Sequence, residues 1–104
     1  MHRMATNRIL RAPRRIAVHV PSPLRSYTHG EATLAVSGAT IMTVDDVLRA
    51  LDRRTPGFRF RIVDELGRLR PHVRIFQRER PVETLDAAVQ DGDELFISAA
   101  LSGG

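Results

Sequence analysis

Apolar and polar residues alternate in two short stretches near the start of the chain, at residues 16–20 and 33–36. Alternation with a period of two is typical of a half-buried β-strand. Pro21 and Pro23 end the first stretch, and Gly38 closes the second. Because the two stretches are neighbours with a compact connection, the pattern predicts an N-terminal β-hairpin.

A helical period begins after Thr43. The apolar residues of this segment recur at i, i+3, i+4 and i+7, which places them on one helix face; they are Val44, Val47, Leu48 and Leu51. The Thr43 hydroxyl can cap the N-terminus, where two aspartates lie against the positive end of the helix dipole, and two arginines lie in the last turn. Pro56 and Gly57 then end the predicted helix.

The pattern is less regular between residues 58 and 70. The hexapeptide FRFRIV alternates like a strand, whereas its position between a helix and a turn suits an irregular link with a short helical piece. We expect the irregular link.

Two further strands are predicted at residues 72–77 and 94–98. A polar turn at 78–81, at most one turn of helix within 82–89 and a tight Asp-Gly-Asp turn at 91–93 separate them. Alternation divides their side chains between two faces. The predicted inward side chains are those of Val73, Ile75, Leu95 and Ile97. The predicted outward side chains are those of Arg74, Phe76, Phe96 and Ser98.

The order of elements is ββα, an irregular link and ββ. In a chain of 104 residues, this order leaves room for one two-layer α+β domain, in which a mixed sheet of four to five strands packs on one main helix. We expect three segments: a disordered basic extension at residues 1–15, the folded domain at 16–98 and a flexible tail at 99–104.

The net charge of +4 is concentrated at the N-terminus. Residues 1–15 hold five arginines and no acid, whereas the rest of the chain carries eleven arginines against twelve acidic residues. The arm lacks aromatic residues for base stacking, which argues against nucleic-acid binding. An Arg-rich, acid-free start also fits a short transit peptide, and Met4 is an alternative first residue to Met1.

Several kinds of chemistry find no support in the residues. The chain has no cysteine, so disulfides, thiolate metal sites and a cysteine nucleophile are excluded. The four histidines lack the spacing of a metal site, and no Gly-x-Ser-x-Gly or glycine-rich phosphate loop is present. No apolar run approaches the length of a membrane span. We therefore expect a cytoplasmic protein without a bound metal, cofactor or membrane partner.

The C-terminal residues 91–104, DGDELFISAALSGG, combine an Asp-Gly-Asp turn, an apolar strand and a Gly-Gly end. Together with the order of elements, they resemble the ThiS/MoaD-type ubiquitin-like sulfur carriers, including their cysteine-biosynthesis and related thiocarboxylate subgroup. The resemblance covers residues 16–104 and implies a β-grasp fold. The chain departs from the family pattern at Ala99, where a proline is frequent, and at Arg78-Glu79, where an Asn-Gly turn is frequent.

The resemblance implies a carrier and not an enzyme. An E1-like adenylating enzyme would join the Gly104 carboxylate to AMP with ATP, a sulfur donor would convert it to a thiocarboxylate, and a biosynthetic enzyme would accept the sulfur. The carrier would be monomeric alone and form hetero-complexes with these partners. Extended residues 99–104 reach roughly 20 Å. Because Gly103 and Gly104 lack Cβ atoms, a narrow channel can close around their backbone.

Docking also needs a surface on the folded domain. Two outward phenylalanines form an apolar patch of the kind that marks interfaces, unless the segment 58–70 covers them. Leu101, as the one large apolar residue of the tail, is expected to anchor it. The expected partner-binding residues are Phe76, Phe96, Arg74, Ser98, Leu101 and Ser102.

Two other functions suit the same tail. In one, the chain is a protein modifier that forms an amide with a lysine of another protein. In the other, it is the small subunit of molybdopterin synthase. The sulfur acceptor is also open among a cysteine precursor, a thiazole, molybdopterin and a specialised metabolite, and the general carrier pattern favours the first or the last.

Overall fold

A computed structural model describes residues 12–100 of the chain. Residues 1–11 and 101–104 lie outside the described part, so the predictions for most of the basic extension and for the last four residues are not addressed by it. The elements within 12–100 are β1 (Arg14–His19), a 3₁₀ helix (Ser22–Thr28), β2 (Thr33–Gly38), α1 (Val44–Arg54), α2 (Phe58–Ile62), β3 (Val73–Gln77), β4 (Arg80–Pro81) and β5 (Glu94–Ala99).

The strands form one mixed sheet in the order β2-β1-β5-β3-β4. The first and last long strands, β1 and β5, pair in parallel at its centre, and the other neighbours are antiparallel. The predicted hairpin of β1 and β2 and the α+β class with a mixed sheet on one main helix are confirmed. Because β1 and β5 are parallel, their C-terminal ends lie at the same end of the sheet.

Helix α1 begins as the sequence predicts. The Thr43 hydroxyl accepts a hydrogen bond of 3.1 Å from the Asp46 backbone N–H, and the Asp46 carboxylate accepts one of 3.1 Å from the Thr43 N–H. The Asp46 carboxylate also accepts a 3.0 Å bond from the Met42 N–H. This last bond, helped by those from Thr43 and opposed by partial burial, holds the pKa of Asp46 below its ordinary value.

The core lies between the sheet and the helices. The inward face of α1 is fully buried at Val44, Val47, Leu48 and Leu51. The predicted inward strand residues are buried against it; these are Val73, Ile75, Leu95 and Ile97. The period of the sequence therefore identifies which face of each long element forms the core.

The structure differs from the sequence-based predictions at both ends of β1. The strand begins at Arg14 and not at residue 16, because the backbones of Arg14 and Arg15 pair with Gly38 and Ser37. These two arginines therefore belong to the sheet and not to the basic extension. After β1, the segment Ser22–Thr28 forms a 3₁₀ helix. From the two prolines, the sequence predicted only that the strand ends here, and no helix.

The segment after α1 is an irregular link that begins with a short helix, as the sequence predicts. FRFRI forms α2, so the alternative of a strand is wrong, and no helix or strand is assigned to residues 63–72. Phe58 and Ile62, four residues apart, are both fully buried on the core side. Gly57 starts this helix with a φ of 95°, a left-handed conformation that favours glycine. The strand-like alternation of FRFRIV does not decide its structure, because the spacing of Phe58 and Ile62 fits a helix equally well.

The turn after β3 forms despite its unusual residues. Arg78 has a φ of 59°, the left-handed conformation that an asparagine or glycine adopts more readily. A short hairpin follows, in which β4 pairs with β3 through Gln77 and Arg80. The departure from the Asn-Gly pattern therefore leaves the hairpin in place.

Candidate functional site

A row of side chains crosses the sheet on the face away from α1. The row follows from the strand register: His19 pairs with Thr33 on one side and with Phe96 on the other. Phe96 in turn pairs with Phe76, and Phe76 pairs with Pro81. Directly opposed residues lie close enough for their side chains to touch. One cross-strand row therefore connects all five strands, and we call it the aromatic row.

His19 and Phe96 are stacked at the centre of the aromatic row. Their ring centroids are 4.2 Å apart and their planes differ by 8°. The orientation of the imidazole is fixed on both sides, because Nε2 lies 2.7 Å from the Glu94 carboxylate and Nδ1 lies 3.3 Å from the Thr33 hydroxyl. The stack covers one side of the Phe96 ring, yet this residue remains 42% exposed.

The predicted surface residues of the folded domain share this face. Phe96, Arg74 and Ser98 are exposed and Phe76 is half-buried. Arg74 and Ser98 form the next cross-strand pair toward the end of β5. The segment 58–70 does not bury Phe96, because this residue is 42% exposed. The structure thus brings the four residues together, while their role in binding stays a prediction.

Sequence reasoning did not select His19 as a site residue. The alternation of β1 places His19 outward, but nothing local shows that β1 lies beside β5. The parallel pairing joins residues 75 or more positions apart, as in the bond between His19 and Glu94. The aromatic row could therefore be assembled only from the fold.

The tail leaves from the end of β5, close to the Arg74–Ser98 pair. Ala99 pairs with Val73, and the Ala100 N–H donates a 3.0 Å hydrogen bond to the His72 carbonyl. The chain is therefore held to β3 through Ala100. The predicted reactive and tail-binding residues lie outside the described part of the chain; these are Leu101, Ser102, Gly103 and Gly104.

The described residues 12–100 contain neither a metal-ion cluster nor a membrane-spanning helix. In the range 12–100, histidine and the acidic residues nowhere cluster in groups of three or more that could hold a metal ion. No helix in the same range is both long and apolar enough to cross a membrane.

Comparisons with known proteins give structural matches. No protein-family model matches the chain, and no curated protein matches it. Among solved structures, a BexX/CysO complex from Amycolatopsis orientalis contains a chain 30% identical, with a TM-score of 0.75 over 86% of this chain and 99% of that one. CysO from Mycobacterium tuberculosis is 28% identical, with a TM-score of 0.74 over 83% of this chain and 99% of that one.

An archaeal protein gives a similar match. SAMP1 from Haloferax volcanii is 27% identical, with a TM-score of 0.73 over 86% of this chain and 99% of its own. Each of these matches spans nearly the whole of the known chain, so the likeness extends over the complete fold and is not confined to one motif.

Proposed function

Because the chain belongs to the ThiS/MoaD-type ubiquitin-like sulfur carriers, we propose that it carries sulfur as a thiocarboxylate on Gly104. The family comprises sulfur carriers and ubiquitin-like modifiers. The observation that supports a carrier most directly is the continuity of β5, which presents Phe96 and Ser98 outward and then runs through Ala99 and Ala100 into the Gly-Gly end.

The proposed chemistry takes place in two steps on the Gly104 carboxylate. First, a carboxylate oxygen attacks the α-phosphate of ATP in an E1-like partner, which forms an acyl-adenylate and releases pyrophosphate. Second, sulfide attacks the acyl carbon, and AMP leaves with the oxygen that joined it to the carbonyl. A carbon–oxygen bond is replaced by a carbon–sulfur bond, and no oxidant or reductant is needed. In the acceptor enzyme, the thiocarboxylate sulfur attacks an electrophilic substrate to form a thioester, and water hydrolyses the carbon–sulfur bond to Gly104, which leaves the sulfur on the substrate and regenerates the carboxylate.

The folded domain provides the surface by which the adenylating enzyme would bind the chain. Phe96 offers an exposed apolar ring whose orientation is set by the stack on His19. Arg74 adds a cation beside it, with its guanidinium steadied by 3.0 Å bonds to the Pro71 and Val73 carbonyls. Aromatic residues and arginine are the side chains that most often dominate protein interfaces. We propose that the adenylating enzyme docks on this face while it binds the tail.

A second function is favoured by one comparison. SAMP1 from Methanosarcina acetivorans, described as a small archaeal modifier protein, is 26% identical, with a TM-score of 0.70 over 89% of this chain. The same acyl-adenylate would then react with a lysine amine of a target protein and form an amide. Both functions share the adenylation step and differ in the nucleophile that follows it.

Exchange of labelled pyrophosphate into ATP tests the shared step. The purified chain is mixed with each E1-like adenylating enzyme of its source organism, ATP and labelled pyrophosphate. We expect one enzyme to catalyse exchange only when the chain is present, because the acyl-adenylate must form for the label to return to ATP. If none of these enzymes shows chain-dependent exchange, the proposal is wrong for both functions.

A further inference from the structure

A groove of about 380 Å³ opens beside the point where the tail begins. It lies among the 3₁₀ helix, α2 and the end of β5, and we call it the tail-root groove. Its lining includes Tyr27, Phe60, Arg61, Arg70, Ala99 and Ala100. It is separate from the aromatic row, which lies on the outward face of the sheet.

Phe60 forms an exposed apolar wall of the tail-root groove. Its neighbours in α2, Phe58 and Ile62, are fully buried, whereas Phe60 is 56% exposed. The fold therefore gains little from this ring. An exposed aromatic side chain at the edge of a concave surface is a typical anchor point for a partner.

Two arginines are held over the aromatic rings of the tail-root groove. The guanidinium carbon of Arg61 lies 4.8 Å from the centroid of Tyr27, and that of Arg70 lies 4.4 Å from the centroid of Phe60. Arg70 Nε also donates a 2.7 Å hydrogen bond to the Phe60 carbonyl. Stacking of this kind orients a guanidinium and leaves its edges available for hydrogen bonds.

Within residues 12–100, Arg61 and Arg70 form no ion pair, in contrast to four other arginines that each pair with an aspartate: Arg49, Arg59, Arg68 and Arg78. The groove lining carries the two arginines against one glutamate, Glu65. Asp64, which does not line the groove, interacts electrostatically with Arg70. A carboxylate from outside would complement the two arginines.

We infer that the tail-root groove is a second docking surface for the adenylating enzyme, filled by a segment that places an apolar side chain against Phe60 and a carboxylate on Arg61 and Arg70. The inference rests on the proposed function. An enzyme that closes around residues 101–104 must come next to Ala100, and Ala100 and Ala99 are themselves walls of the groove. The rim of the enzyme's channel therefore meets the groove, while another part of the enzyme meets the aromatic row.

Reversal of one charge in the groove tests this inference. Arg61→Glu is the test variant, because its guanidinium contacts Tyr27 and makes no hydrogen bond needed by the fold. Arg53→Glu is the matched control, since Arg53 is also an exposed helical arginine but lies in α1, away from the groove. With the enzyme found by pyrophosphate exchange, we expect Arg61→Glu to raise the KM for the carrier about tenfold with kcat unchanged. The control should change KM less than about twofold.

A photo-crosslinker gives a second readout that does not depend on charge. Phe60→p-benzoylphenylalanine should form a covalent adduct with the adenylating enzyme on irradiation. The matched control, Met42→p-benzoylphenylalanine, should not, because Met42 is also exposed but lies near the opposite end of the sheet from Ala99.

The outcomes separate this inference from the proposed function. If the wild-type chain supports exchange but Arg61→Glu behaves like Arg53→Glu and position 60 gives no adduct, the groove is not a docking surface and the proposed function stands. If no enzyme activates the wild-type chain, both are wrong. A raised KM for Arg61→Glu together with an adduct from position 60 supports the groove.

Discussion

The imidazole of His19 lies flat against the ring of Phe96, with the centroids 4.2 Å apart. The two residues belong to β1 and β5, which pair in parallel at the centre of the sheet. The stack fixes the position of the most exposed aromatic ring on this face, and the strand that carries Phe96 continues into the tail. The proposed docking surface therefore lies on β5 (Glu94–Ala99), the strand that precedes the proposed reactive residue Gly104 in the sequence.

Removal of the Phe96 ring should weaken docking without unfolding the chain. We expect Phe96→Ala to raise the KM for the carrier in pyrophosphate exchange about tenfold or more, since buried aromatic anchors contribute about 2 kcal/mol to binding. The unfolding free energy should fall by less than about 1 kcal/mol, because the ring already lies at the surface. Leu66→Ala is the control, since Leu66 is 70% exposed and lies off this face. An unchanged KM for Phe96→Ala would place docking elsewhere.

Deletion of Gly104 should separate function from stability. We expect the shortened chain to support no pyrophosphate exchange, because the acyl carbon is then on another residue and displaced by one position. Its unfolding free energy should lie within about 0.5 kcal/mol of wild type, since the buried apolar residues found within 12–100 run from Ile16 to Ile97. Thermal or denaturant unfolding measures the second quantity. A large loss of stability would show that the tail belongs to the folded domain.

Asp93 should be important for folding and not for docking. Its side chain is almost fully buried, and one carboxylate oxygen accepts 2.8 Å hydrogen bonds from the Gln90 N–H and from Gln77 Nε2. Arg78 donates to the other oxygen at 3.2 Å. We expect Asp93→Ala to lower the unfolding free energy by about 1 to 3 kcal/mol, because these donors lose their acceptor.

The control for Asp93 is Asp86→Ala, which removes an exposed aspartate bonded to Thr84. It should change the unfolding free energy by less than about 0.5 kcal/mol. Equal effects of the two substitutions in urea unfolding would show that the buried hydrogen bonds of Asp93 are not what stabilises the turn.

The charge on Asp46 should stabilise the protein at every pH above its unfolded pKa and lose this effect in acid. Hydrogen bonds from Met42 and Thr43 lower the pKa of Asp46 in the folded state. Its contribution is therefore present above the unfolded pKa of about 3.9 and is lost as the pH falls through the lower folded value. We expect Asp46→Asn to cost about 0.5 to 1 kcal/mol at pH 7.

The difference between wild type and Asp46→Asn should shrink as the pH falls from about 5 to about 2, when the wild-type carboxyl becomes neutral as well. Urea unfolding at several pH values measures it. A difference that stays constant over this range would show that the charge of Asp46 makes no contribution.

Local sequence patterns were sufficient to predict those elements in which the apolar period and the capping residues indicate the same bounds. Helix α1 is an example, since its buried stripe and the Thr43 cap predict the same start. Local patterns were insufficient for FRFRIV, because its residues fit both a strand and a helix. Apolar and polar residues alternate as in a strand, but Phe58 and Ile62 are four residues apart, as on one face of a helix. The start of β1 was missed because Arg14 and Arg15 are polar and owe their strand conformation to pairing with β2.

The functional surface was predictable only in part. Alternation places Phe76 and Phe96 on the outward face, and the structure agrees. The stack of His19 on Phe96 and the tail-root groove depend on contacts between segments far apart in sequence. No local pattern predicts that the 3₁₀ helix, α2 and the end of β5 lie together. Each of these segments is too short to show a hydrophobic period.

The intact mass of the chain tests the central proposal most directly. The chain is incubated under anaerobic conditions with ATP, sulfide and the adenylating enzyme that supports pyrophosphate exchange, and is then measured by mass spectrometry. A sulfur carrier gains the mass difference between one sulfur and one oxygen atom, and the modified atom maps to the Gly104 carboxyl. An unchanged mass under conditions in which exchange proceeds, or a series of conjugates with other proteins in its place, would contradict the account.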